Sequence, residues 1–158
     1  MGLFGDLDAK NLSTNPYFIE EDTYEGYIEK VEDDLYNEER DQHQVSFTYK
    51  IDDESSKYHG KTAREWFRVY PDLTSETLAN LPGDQQAEVE TNLGRLKKRL
   101  CGYKKKGEQV TSGLGVDEDE VNSFDIKELK GTRVKFGIKN YGDDNEGVAV
   151  QWVSLLND

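Results

Sequence analysis

Cysteine, histidine and positive charge are all scarce in this chain: one Cys, two His, and 20 Lys and Arg against 33 Asp and Glu in 158 residues. With Cys101 alone, no disulfide framework can form within the chain, and a structural zinc site of the Cys/His type lacks its ligands. His43 and His59 belong to no ligand spacing such as HExxH. No apolar run approaches the length of a membrane span. The opening "MGLFGDLDAK" has neither the basic region nor the apolar core of a signal peptide. A reducing cytoplasm is the expected setting. "GYKKKGE" has the glycine spacing of a phosphate-binding loop, but Glu108 stands where lysine is required, and no Ser or Thr follows. The paired acids of "DDES", "VDEDEV" and "GDDNEG" lack the spacing of a calcium loop. Neither enzyme, metal nor cofactor is expected.

What the chain does have is aromatic. Nine Tyr, six Phe and two Trp argue for a folded core rather than disorder, and the length suits one domain. A formal net charge of -13 disfavours sticking to nucleic acid when taken as an average. The average misleads, because the charge is segregated. Residues 57–70, 95–106 and 127–141 hold four, seven and five basic residues, together 16 of the 20. The same windows contain only two acids, Glu65 and Glu128. Binding depends on local potential, so three basic islands in an acidic chain outweigh the total.

The order of elements follows from periodicity. Residues 1–21 read as an extended arm with a turn at Asn15-Pro16, and residues 22–156 as a single domain. "TYEGYIEKV" has the composition of a strand, with Gly26 a bend or bulge. Val45, Phe47, Tyr49 and Ile51 alternate with Ser46, Thr48 and Lys50 in a second strand. The third runs from about Thr62 to Tyr70 and stops at Pro71. Val89, Leu93, Leu96, Leu100 and Tyr103 then mark one stripe of a helix. Asp84 is a candidate cap, and Gly102 or Gly107 a candidate end. "GEQVTSGLGVDEDEVNS" reads as a mobile loop, followed by strands over Thr132–Lys139 and "VAVQWVSLL" around a turn-rich "NYGDDNEG". The expected fold is mainly β with one main helix. Three strands, a helix and two strands is the order of an OB-fold, a five-stranded barrel with its helix between strands three and four.

Alternation also sorts the side chains. Phe67 and Val69 fall on one face of strand three, and Trp66, Arg68 and Tyr70 on the other, beside Lys61 and Arg64. In strand four, Arg133, Lys135 and Lys139 oppose Val134, Phe136 and Ile138. If the apolar faces fill the barrel, the basic and aromatic faces point outward. Stacking rings interleaved with cations are what an unpaired nucleic acid strand needs, for bases and phosphates respectively. Tyr141 and Trp152 extend that surface, although Trp152 fits the core equally well. Arg95, Lys98, Lys104 and Lys105 in "RLKKRLCGYKKK" form a second candidate, either a phosphate ramp or an ordinary helix end favoured by its dipole.

Longer blocks carry a resemblance. "FGDLDAKNL", "DTYEGYIEKVE", "FTYKIDDESSKYHGKTAREWFRVYP", "LGRLKKRL" and "ELKGTRVKFGIKNYGDDNEG" resemble a family of small phage proteins, especially from phages of actinobacteria. The most specific part is Tyr49 to Trp66, followed by "LKGTRV". The resemblance implies an OB-type single-stranded DNA-binding protein that coats strands in phage replication or recombination, without sequence preference or cofactor. It also implies the host cytoplasm, phage or host replication and recombination proteins as candidate partners, and leaves a homo-oligomer open. The chain departs from many single-strand binders by ending "VSLLND", with almost no acidic tail, so partner recruitment through such a tail is not carried over. A second reading starts from the excess acid: a protein-binding module, or a DNA mimic that inhibits a host nucleic-acid enzyme. Three concentrated basic segments count against a mimic. A third reading is an OB-like structural subunit that binds neither.

Overall fold

The computed structural model describes residues 2–3, 5–7, 12–102 and 113–156. Five strands form one antiparallel sheet: β1 (Asp22–Asn37), β2 (Gln42–Ile51), β3 (Thr62–Val69), β4 (Arg133–Tyr141) and β5 (Gly147–Leu155). Their order across the sheet is β3-β2-β1-β4-β5, so the long first strand is the centre. Gly26 lets β1 serve both neighbours, pairing with Ile51 of β2 and Val134 of β4. A β-carbon there would lie 1.8 Å from the Lys50 carbonyl oxygen, so only glycine permits the approach.

The alternation of the sequence is the alternation of the sheet. Ile28, Val45, Phe47, Tyr49, Ala63, Phe67, Val134, Phe136, Ile138 and Val153 turn to one face and form the core. Ile19, just before β1, is fully buried in the same core. Thr14 and Asn15 hydrogen-bond to Glu146, which fastens this segment to the β4–β5 turn.

Between β3 and β4 the described residues form two α-helices: a short α1 (Ser75–Ala79), which the sequence pattern does not announce, and α2 (Gly83–Cys101). In α2, Val89 and Leu100 are buried and Leu93 and Leu96 half-buried, while Tyr103 falls outside the described residues. The helix starts after Pro82, with Asp84 in the first turn rather than at the cap, and ends at Gly102 with φ +73°. The supposed mobile loop is only partly loop-like. Its residues 107–112 lie outside those described, but Leu114 and Val116 are buried and hydrogen-bond to the Leu100 carbonyl at the end of α2. Two 3-10 turns, Val121–Ser123 and Ile126–Leu129, complete the crossing, and Leu129 plugs the core.

The sheet departs from expectation as well. The sheet is open rather than a closed barrel: β3 and β5 are its two edges, and no ladder joins them. Side chains occupy that seam instead. The Arg99 guanidinium, from α2, donates to Glu65 on β3 and to the Val150 carbonyl on β5, the latter at 3.4 Å.

Candidate functional site

The open seam is also a concavity, a groove of about 880 Å³ between β3, β5 and the last turns of α2. Its walls include Arg64, Trp66, Arg95, Lys98, Tyr141 and Trp152, six of the residues singled out in the sequence. They come from β3, α2, β4 and β5, and only the fold collects them. Among the described residues, four cations and one carboxylate, Glu65, line a groove in a protein of net charge -13. Local potential here opposes the chain average.

Each aromatic wall has a local cause. Trp66 follows the outward alternation of β3 and is 51% exposed, with the Arg64 guanidinium 4.9 Å from its ring. Arg64 is itself held by Ser46 Oγ at 2.7 Å and by Glu32 at 2.9 Å. Trp152 and Tyr141 each lie on a glycine of the neighbouring strand. The register pairs Gly137 with Trp152 and Tyr141 with Gly147. A β-carbon on Gly137 would sit 2.1 Å from Trp152 Nε1, and one on Gly147 would sit 2.7 Å from the Tyr141 ring. The glycines make room for rings on the outer face. Trp152 is therefore a half-buried wall residue, on the side opposite Val153 and Phe136.

The floor of the groove was not anticipated. Glu65 falls at an inward position between Ala63 and Phe67, and it accepts hydrogen bonds from Tyr49 Oη, Arg99 Nε at 2.7 Å and Arg99 Nη2 at 3.1 Å. Burial raises the Glu65 carboxyl above its ordinary value, with the Arg99 charge opposing and not cancelling the shift. Burial, with the Glu65 charge adding to it, also pushes Tyr49 well above its ordinary value. The sequence signal was present. A charged residue on the core face of a strand requires a buried partner, and Glu65 is the one acid in its basic window.

The other candidates are dispersed. Arg68 pairs with Glu88 at 3.4 Å and covers the Tyr70 ring at 4.8 Å, while the Tyr70 hydroxyl accepts from Asn92. These two are fastened to α2 and line a separate pocket of about 260 Å³. Lys61 donates to the Phe18 carbonyl at 3.1 Å, and Arg133 pairs with Asp52 at 3.1 Å. Lys135 and Lys139 are exposed on the same face of β4–β5 as Trp152, beyond the groove walls. Lys104 and Lys105 lie outside the described residues.

Neither family models, curated proteins nor solved structures give a match to this chain. Among the described residues, no cluster of His, Cys, Asp and Glu is placed to hold a metal ion. None of their helices is long and apolar enough to cross a membrane. Burial pushes the Cys101 thiol above its ordinary value, the opposite of an activated nucleophile.

Proposed function

We propose that the protein binds single-stranded DNA without catalysis, seating the strand in the groove between β3 and β5. One observation carries the reading: three aromatic side chains and the exposed cations Arg64, Arg95 and Lys98 line one concavity. Rings take unpaired bases and cations take phosphates, and duplex DNA offers no bases to stack. The strand order and the helical crossing between β3 and β4 support an OB-type arrangement, here with its β3–β5 edge open to the ligand. A role in coating DNA during phage replication or recombination fits such a binder.

The test is titration of the intact protein with an oligo-dT strand and with a duplex of equal length, at two salt concentrations. Tryptophan emission should be quenched by the single strand and hardly by the duplex. Affinity should fall with salt, with a logarithmic slope of about -0.7 for each phosphate contacted. Unchanged emission and mobility with oligo-dT at low salt would refute the proposal. Capture of a host DNA-binding protein in the same preparation, with no response to DNA, would favour the acidic mimic.

A further inference from the structure

Arg99 differs from the other cations of the groove. Arg64, Arg95 and Lys98 are exposed, whereas the Arg99 side chain is only 14% exposed and lies on the floor. Its charge is already balanced by Glu65, which makes it a poor attractor of phosphate. It remains a well-oriented donor. Nε and Nη2 are committed to Glu65 and to the Val150 carbonyl, and Tyr49 fixes the carboxylate from behind. Nη1 has no hydrogen-bond partner among the described residues, and no fully buried side-chain nitrogen or oxygen among them is left unsatisfied, so Nη1 is not fully buried. Rings that line the walls direct bases inward, so the floor meets base edges rather than the backbone.

We infer that Arg99 is a base-reading residue of the groove, donating from Nη1 to the carbonyl oxygen of a thymine or guanine. Glu65 and Tyr49 are the positioning residues that hold it. This rests on the proposed single-strand binding and sharpens it, because it predicts a modest base preference where none would otherwise be expected. Thymine O4 and guanine O6 are acceptors, whereas adenine presents an amino donor at the equivalent position.

The experiment compares oligo-dT with oligo-dA for the wild type and for the double variant Glu65→Gln/Arg99→Met, which removes both charges together. Circular dichroism and a thermal melt first confirm that the variant is folded. Self-stacking of oligo-dA is common to both proteins and cancels in the comparison. The dT:dA affinity ratio should shrink by about fivefold in the variant, as expected for one lost hydrogen bond per base read. The salt slope should stay the same, since no phosphate contact is removed. The single variant Glu65→Gln, which frees the guanidinium without removing it, should give an intermediate ratio. An unchanged ratio in a folded double variant overturns the inference while leaving strand binding intact. So does a slope reduced by about 0.7, which would make Arg99 a phosphate ligand. If the wild type binds neither oligonucleotide, the single-strand reading fails and this inference fails with it.

Discussion

Arg99 holds Glu65 through two hydrogen bonds, 2.7 Å from Nε and 3.1 Å from Nη2, beside a seam that the backbone leaves open. The side chains are only 14% and 12% exposed, so neither charge can be left alone without cost. The pair couples helix to sheet edge, and it forms the floor of the groove that the proposed function uses.

Removing one partner should therefore hurt more than removing both. Arg99→Met leaves the Glu65 carboxylate buried without its cation and should cost about 3 kcal/mol of stability. Glu65→Gln/Arg99→Met should recover much of that loss, because the introduced amide still accepts from Tyr49 and no charge is stranded. Urea unfolding of the wild type, both single variants and the double variant measures the coupling. Strictly additive losses would mean that the pair contributes nothing as a unit.

Two carboxylates give opposite pH responses. The Glu65 carboxyl is raised by burial, so the stability it contributes is full below the ordinary value of 4.5 and is lost as pH rises through the raised value. Glu146 is lowered by its hydrogen bonds from Thr14, so its contribution is present above 4.5 and is lost as pH falls through the lowered value. Glu65→Gln should gain stability relative to wild type as pH is raised from 4.5 through the raised value of the Glu65 carboxyl. Acidification below 4.5 should release the Thr14 amide, read by NMR or hydrogen exchange, and Glu146→Gln should abolish that transition.

Gly137→Ala tests the seat of Trp152. The added carbon would stand 2.1 Å from the indole nitrogen, so the ring must leave its position. A stability loss of about 1–3 kcal/mol should accompany a red shift of tryptophan emission. A substitution with neither effect would show that the ring does not rest on this glycine.

The two tryptophans should separate binding from folding. Trp66 is 51% exposed, so Trp66→Ala should leave stability within about 0.5 kcal/mol of wild type while weakening oligo-dT binding by about 1–3 kcal/mol. Trp152→Ala should lower stability, and should weaken binding less than Trp66→Ala at temperatures where it is folded. Equal effects on binding would contradict this ranking of the two walls.

Much of the molecule was legible before folding was considered. A strand repeats every two residues and a helix every 3.6, so Val45–Ile51, Phe67, Val134–Ile138 and the α2 stripe declared their inward faces locally. The outward placement of Arg64, Trp66, Arg133, Lys135 and Lys139 follows from the same sterics. α1 was missed because five residues are too few to show a period. Leu114 and Val116 were missed because a loop that packs on the core has no period at all.

What only the tertiary structure decided is how distant edges meet. Local alternation places Glu65 inward but cannot say that Arg99, 34 positions later, arrives to neutralise it. Nor can it say that Val150, 51 positions beyond Arg99, supplies the carbonyl on the far side. Trp152 fits core or surface by sequence, and the β4–β5 register resolves this by setting it on Gly137, one residue before a bulge. Pairing between strands depends on loop lengths, bulges and the packing of a helix against a free edge, none of which is written in the spacing of one segment. Local sterics chose the faces; long-range packing left the seam open and gathered the rings and cations around it.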